Sequence, residues 1–506
     1  MIAYSKSFIP LGFTASLIEI EGDKSRGLPA FNIVGMAAKT VSEARERVKS
    51  ALHSSGFSFP TEKLTINLAP ADLSKDGSYL DLAIAVNILI LSGQLRQEDV
   101  DDSAFIGELS LSGELRAVRG VINLVEAAKA AGIKHLFIPV KNFTQGSLIK
   151  NINLIPISNL KELYLYLKGQ IPAPHLDKNV VKNTKTDSKL PNFDQIYGQE
   201  FAKRALTIAI AGHHNILLSG PPGTGKTMLA KAALDLLPPL SASEQISVTK
   251  LHSLAGLATD IVKERPFRTP HHTSSLIALV GGGPKAEPGE ISLASHGVLF
   301  LDELPEYPRS LLESLRQPLE DRQISISRVG RKLTYPADFM LIATMNPCPC
   351  GYLGDPTHTC SCSVTQISHY HKKLSGPLLD RIDLFSEVGR VEISRLLNTS
   401  TTQTNVDVVK NTITDALAMQ STRYGNTSIF NASLPTPEIA TKIPLSPAVK
   451  QLLDTAASSL DLSARSYFKV IKVARTIADL EASSDIKPTH LSEALSYRYQ
   501  PTKNAL

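Results

Sequence analysis

Residues 215–227 read NILLSGPPGTGKT. A short apolar run is followed by Gly220, Pro221, Pro222, Gly223, Thr224 and Gly225, then by Lys226 and Thr227 at the head of the helical pattern MLAKAALDLL. Strand, glycine-rich loop and helix in that order predict a phosphate-binding loop. Glycines let backbone N–H groups turn inward around phosphate oxygens, and a helix start adds a favourable dipole. In such a loop Lys226 reaches the β and γ oxygens of ATP, and the Thr227 hydroxyl ligates Mg²⁺. A chance glycine-rich turn is the alternative, and the flanking strand and helix weigh against it.

Two downstream stretches fit the same crevice. GVLFLDEL, residues 297–304, is a buried-strand pattern that ends on Asp302 and Glu303. Asp302 is expected to hold the Mg²⁺ water shell and Glu303 to polarise the attacking water as general base. Two acids that merely cap the next helix are the alternative. DFMLIATMN, residues 338–346, is another apolar strand, ending on Asn346. The C-terminal ends of parallel strands converge on a ligand crevice, which points Asn346 toward the γ-phosphate.

Together these residues resemble the AAA+ superfamily, in which Asn346 falls at the first sensor position. LSGPLLDRIDLF, residues 374–385, resembles the arginine-finger motif, implying that Arg381 enters the neighbouring subunit's ATP site. LSARSYFKVIKVARTIADL, residues 462–480, resembles the sensor-2 helix of the lid, implying Arg465 on the phosphates. For either arginine alone, a surface salt bridge is the alternative. A finger supplied in trans makes a ring necessary for turnover, and the resemblance implies a hexamer. Residues 265–307, RPFRTPHHTSSLIALVGGGPKAEPGEISLASHGVLFLDELPEY, closely resemble the magnesium-chelatase-like ATPases. Within that signature, the branch with an added N-terminal block is the ComM/YifB family.

Between the helical SLLESLRQPLED and the Asn346 strand lies QISISRVGRKLTYPA, residues 323–337. Ile324 and Ile326 alternate with serines, Gly330 sits at a natural turn, and Leu333 and Tyr335 alternate on the return, a hairpin signal. Its tip carries Arg328, Arg331 and Lys332 with no acid nearby. Three such cations would grip DNA phosphates, with affinity falling as salt rises. A solvated basic turn is the alternative. By resemblance, hairpins inserted before the first sensor point into the central pore of AAA+ DNA motors.

KDGSYLDLAIAV, residues 75–86, and residues 107–142 resemble the Lon peptidase domain. Lon uses a serine activated by a desolvated lysine. Those positions fall here on Tyr79 and Ile122, and Ser78, one residue off, is left without a lysine partner. Proteolysis is therefore rejected, and the resemblance implies a scaffold that binds DNA or assists ring assembly.

All four cysteines lie in NPCPCGYLGDPTHTCSC, residues 346–362. Cys348-x-Cys350 and Cys360-x-Cys362 can converge on one tetrahedral Zn²⁺. Soft thiolates favour Zn²⁺ or an iron–sulfur cluster; free thiols and redox chemistry are the other readings. Four thiolates leave no open coordination position, so the expected role is structural.

The remaining bounds come from composition. At 506 residues the chain has room for roughly three or four domains. Polar seams at 169–190 and 397–405 divide it into a Lon-protease-like α/β block (1–168), a linker, an α/β AAA+ core with the cysteine loop (191–396) and a helical lid (397–506), which makes the fold class α/β. The N-terminus lacks a signal-peptide pattern, and the most apolar run, residues 80–91, carries Asp81 and Asn87, so the expectation is a cytoplasmic protein without a membrane span. A net charge of +5 is weak evidence for a polyanionic partner. The reading is an ATP-driven, ring-forming DNA motor; the resemblance to the ComM/YifB family implies a helicase or branch-migration factor for single-stranded or branched DNA in natural transformation and homologous recombination. Its rivals are the ATPase subunit of a metal chelatase, and a protein remodeller that grips polypeptide through Tyr335.

Overall fold

The computed structural model describes residues 1–35, 38–71, 73, 75, 78–172, 193–283, 286–328, 331–390 and 405–498. Most of the 169–190 seam, and residues 397–404 of the other, lie outside the described residues.

The apolar runs at the centre of the chain form one parallel sheet. Its order is Phe267–Arg268, Val298–Leu301, Met340–Met345, Ile216–Ser219, Leu384–Glu387. Parallel strands covered on both faces read as unbroken apolar runs, and every residue of Val298–Leu301 and Met340–Met345 is buried. Register sets Ser219 beside Met345 and Leu301 beside Ala343. The glycine loop, Asp302 and Asn346 therefore emerge at the same edge, where the strand ends open a crevice. At the opposite edge Asn215 ties three strand starts together. Its Oδ1 accepts from the Leu341 N–H (2.9 Å), its Nδ2 donates to the Arg381 carbonyl (3.0 Å), and its own N–H donates to Asp383 (3.0 Å).

The C-terminal helices Val406–Tyr424, Thr436–Lys442, Pro447–Ser459, Ala464–Leu480 and Pro488–Ser496 share one apolar cluster with Glu200–Gly212 and the sheet. Ala464–Leu480 starts where the Ser463 hydroxyl accepts from the Ser466 N–H at 3.2 Å, satisfying an orphan donor of the first turn.

The N-terminal residues build their own sheets. Ile2–Leu11, Thr14–Ser25, Lys63–Ala69 and Ala30–Val34 form a mixed sheet in that order; Ser103–Phe105, His135–Pro139 and Asn153–Ile157 form a parallel one. The most apolar run is a core helix, Asp81–Leu91, with all of its residues buried. Two of its polar side chains are tied down: Asp81 accepts two bonds from Arg47 (2.8 and 3.2 Å), and Asn87 Nδ2 donates to the carbonyls of Ala3 and Ile20, while Asn87 Oδ1 is buried without a partner among the described residues. No helix among the described residues is long and apolar enough to cross a membrane. Tyr79 packs against the apolar cluster that contains Ile122. The Ser78 hydroxyl donates to Glu108, and the Lys75 ammonium donates to the carbonyls of Pro70 and Leu73.

The expected hairpin is present as Gln323–Arg328 and Arg331–Pro336, antiparallel, with Arg328 opposite Arg331 and Ile326 opposite Leu333. The side chains of Arg328 and Arg331, and residues 329–330, lie outside the described residues; Lys332 is exposed. The alternation is met in burial, since Ile324, Ile326 and Tyr335 all enter the core. The helical stretch before it splits into Arg309–Ser314 and Arg316–Asp321; Pro318 cannot donate a helix hydrogen bond there. Phe13, at the turn between the first two strands, packs in the same cluster as Leu333, so the N-terminal residues abut the hairpin strand Arg331–Pro336.

Candidate active site

The loop from Gly220 to Gly225 is shaped by close approach and by left-handed backbone. A Cβ at Gly220 would lie 2.1 Å from the Val388 carbonyl oxygen, so only glycine fits. Gly223 and Gly225 have φ of +78° and +86°. Behind them Lys226 Nζ donates to the carbonyls of Gly220 (2.6 Å) and Pro221 (2.8 Å) and to Asn346 Oδ1 (3.1 Å). Partial burial pulls its pKa below the usual lysine range, opposed by the nearby Asp302 and Glu303 carboxylates. The expected neighbours of a nucleotide phosphate are thus brought together, with Asn346 already in contact with the lysine.

Asp302 is held at both oxygens: Oδ2 accepts from the Thr227 hydroxyl (3.0 Å), and Oδ1 from the Thr344 hydroxyl. The Thr344 oxygen in turn accepts from the Glu303 N–H at 3.0 Å. Glu303 needs that anchor, because its φ of +54° is a left-handed conformation costing roughly 1–2 kcal/mol for a residue with a Cβ. Thr227 and Asp302 offer hard oxygen donors suited to Mg²⁺. Thr344 escaped the sequence reading. The available signal was a lone hydroxyl inside the apolar run Met340–Met345, two residues before Asn346.

The cysteine loop folds back on this site. Cys348 Sγ lies 3.3 Å from Cys350 and 3.7 Å from Cys360, Cys350 lies 3.6 Å from Cys360, and all four sulfurs fall within 4.8 Å of one another. Disulfides need about 2.05 Å; tetrahedral Zn–S bonds of about 2.3 Å set sulfurs about 3.8 Å apart. The donor set therefore fits one soft tetrahedral cation, and the cysteines are free of disulfides. Gly351 (φ +86°) sits so near the phosphate loop that a Cβ there would come within 2.7 Å of Pro222 Cδ. Farther along, Arg390 pairs with Asp355 at 2.7 Å, pinning the loop's outer turn.

Arg381 and Arg465 are placed elsewhere. Both belong to the edge where the strands begin, across the sheet from Lys226, and neither bonds to the phosphate loop of its own chain. They meet on Glu320, whose Oε1 accepts from Arg465 at 2.6 Å and whose Oε2 accepts from Arg381. A cavity of about 630 Å³ lies behind them, lined also by Lys469 and Lys472. The Tyr335 hydroxyl donates to the Ala286 carbonyl at 2.6 Å and the ring is buried, so this aromatic cannot grip a polypeptide.

With this geometry, residues 192–396 match the family described as magnesium chelatase, subunit ChlI; residues 20–142 match subunit ChlI of Mg-chelatase; and residues 403–498 match the subunit's C-terminal family. The competence protein ComM of Haemophilus influenzae is 43% identical over 503 residues, 98% of this chain and 97% of its own. The chain belongs to the ComM/YifB family. The uncharacterized protein YifB of Escherichia coli is 41% identical, across 96% of this chain and 95% of its own. Resemblance to the 67 kDa magnesium-chelatase subunit of Heliobacterium mobile is narrower, 29% identity over 38% of this chain and 33% of that subunit. A ComM/YifB protein thus matches this chain nearly end to end, whereas the chelatase match is partial. Membership in this magnesium-chelatase-like AAA+ group implies ATPase activity, with ATP and Mg²⁺ as the general cofactors.

Proposed function

We propose that this chain is an ATP-driven, ring-forming DNA motor, a helicase or branch-migration factor. The observation that carries the reading is a hairpin bearing Arg328, Arg331 and Lys332, inserted between a P-loop sheet's Asp302 strand and its Asn346 strand. A cationic element there favours a polyanionic substrate, single-stranded or branched DNA. Full-length similarity to a competence protein supports a place in natural transformation and homologous recombination.

In this reading the loop 220–227 binds the phosphates, Lys226 neutralises the β and γ oxygens, and Thr227 with Asp302 would hold Mg²⁺. Bound Mg²⁺ would neutralise phosphate charge. Glu303 takes the water's proton, and Asn346, held beside Lys226, orients that water. Arg381 and Arg465, across the sheet from this loop, serve the ATP of a neighbouring subunit, so turnover needs a ring, which we take as a hexamer. Cys348, Cys350, Cys360 and Cys362 hold a structural Zn²⁺. Residues 1–168 are a Lon-protease-like scaffold without a catalytic dyad, 169–190 a linker, 191–396 the AAA+ core and 397–506 a lid. The apolar packing of Tyr79 and Ile122 supports the absence of a dyad.

The matches to chelatase subunits favour a second reading, an ATPase that drives metal insertion. One experiment separates the two: ATP turnover with and without single-stranded, duplex and branched DNA over a salt series. Stimulation that fades with salt is expected; no response to any DNA removes the motor reading.

A further inference from the structure

We infer that Glu320 is a positioning residue that assembles Arg381 and Arg465 into a single anion-binding fork. The inference rests on the trans role proposed above for these arginines.

The two guanidiniums come from segments 61 and 145 residues away from Glu320, and one carboxylate takes one bond from each. Two cations brought this close repel each other, so an anion between them is needed to keep them together. Other nearby groups are already engaged. Lys469 donates to the Ile382 carbonyl at 3.0 Å and pairs with Asp383 at 3.1 Å; Lys472 donates to the Ala432 carbonyl at 2.9 Å. Arg381 is further fixed by Nη1 on the Pro377 carbonyl at 2.6 Å. Its buried Nε has no hydrogen-bond partner among the described residues.

Glu320 itself is exposed, where a neighbouring chain can reach it. A carboxylate bridging two arginines resembles, in charge and in donor geometry, a phosphoryl group between the same arginines. A γ-phosphate carries more charge and a third oxygen, so it can displace Glu320 without the arginines having to be gathered first. Such preorganisation acts on the transition state rather than on ground-state binding. Glu320 also lies in the last turn of the helix Arg316–Asp321, and the next residue but one, Arg322, pairs with Asp338 at 2.9 Å across the foot of the basic hairpin. The fork is thus built on the segment that enters the hairpin.

The test uses the full-length protein and steady-state ATP hydrolysis, with melting temperatures alongside. Glu320→Gln is expected to lower kcat on the order of tenfold, with KM for ATP changed by less than about twofold. Glu320→Asp, which keeps the charge, recovers most of the loss. In an Arg465→Ala background, Glu320→Gln adds little further, because the fork is already broken. Unchanged or raised kcat in Glu320→Gln, no recovery in Glu320→Asp, or additive losses each overturn the inference. If Arg381→Ala loses turnover while Glu320→Gln keeps it, only the Glu320 inference falls. Full turnover by Arg381→Ala removes the trans reading, and the inference with it.

Discussion

Thr344→Val removes one oxygen at nearly constant volume, from a fully buried strand position. Two bonds go with it, the one donated to Asp302 and the one accepted from the Glu303 N–H. Losing the bond to the part-buried Glu303 N–H costs about 1–1.5 kcal/mol, and a bond to a charged carboxylate contributes about 1.5–3 kcal/mol. Asp302 keeps its bond from Thr227, so the lower end of each range applies, roughly 2.5 kcal/mol together. If that orientation is needed only for hydrolysis, kcat falls up to roughly 70-fold. KM for ATP should change far less, because Lys226 and the glycine loop make no bond to Thr344. Thr344→Ser keeps the hydroxyl and should stay within about threefold of the parent. Initial rates across an ATP and a Mg²⁺ series, taken well below the melting temperature of each variant, measure both constants. A valine variant retaining more than half the parental kcat would refute the proposed orientation of Asp302 and Glu303.

The other expectations are shorter. Arg331→Ala with Lys332→Ala should cut the DNA-stimulated part of turnover and flatten its log–log salt dependence by about two; unchanged DNA dependence sinks the hairpin reading. Metal analysis should find about one zinc per chain, lost in Cys360→Ser with Cys362→Ser, and KM for ATP should then rise because Gly351 rests on Pro222. A folded, metal-free parent with four titratable thiols speaks against the staple. Burial raises the Asp81 pKa to about 6 from 3.8, outweighing its bonds from Arg47. The folded state therefore takes up that proton first, so this group costs stability at neutral pH and the cost is relieved as pH falls from about 6 toward 3.8. Urea unfolding of the parent and Asp81→Asn should diverge across that window by up to roughly 3 kcal/mol, the parent gaining on the acid side; parallel curves contradict the assignment.

Much of the candidate ATP site was legible because its parts are local. A strand, a glycine loop and a helix occur within thirteen residues, and each apolar run announces the carboxylate or amide at its C-terminal end. The hairpin was legible for the same reason, since its alternation and its turn are neighbours in the chain. Tyr335 shows the limit of that reading. Alternation gave its face of the hairpin, and packing against the apolar cluster, with its hydroxyl on the Ala286 carbonyl, decided that the face is buried. The spacing of the cysteines allowed one tetrahedral site, but the contact of Gly351 with Pro222, which places that site against the phosphate loop, depends on how the loop folds back.

From the sequence alone come the phosphate loop, the strands with their polar ends, the basic hairpin and the cysteine cluster, because period, turn chemistry and spacing act over a few residues. Which of these meet is a matter of tertiary structure. The strand order sets Met340–Met345 between Ile216–Ser219 and Val298–Leu301, and so delivers Thr344 to Asp302 and Asn346 to Lys226. The same sheet separates Arg381 and Arg465 from their own chain's loop and leaves them on Glu320. Contacts across 42, 120 and 145 residues leave no local pattern, since their energy comes from partners that only the packed sheet and the C-terminal helices bring within reach.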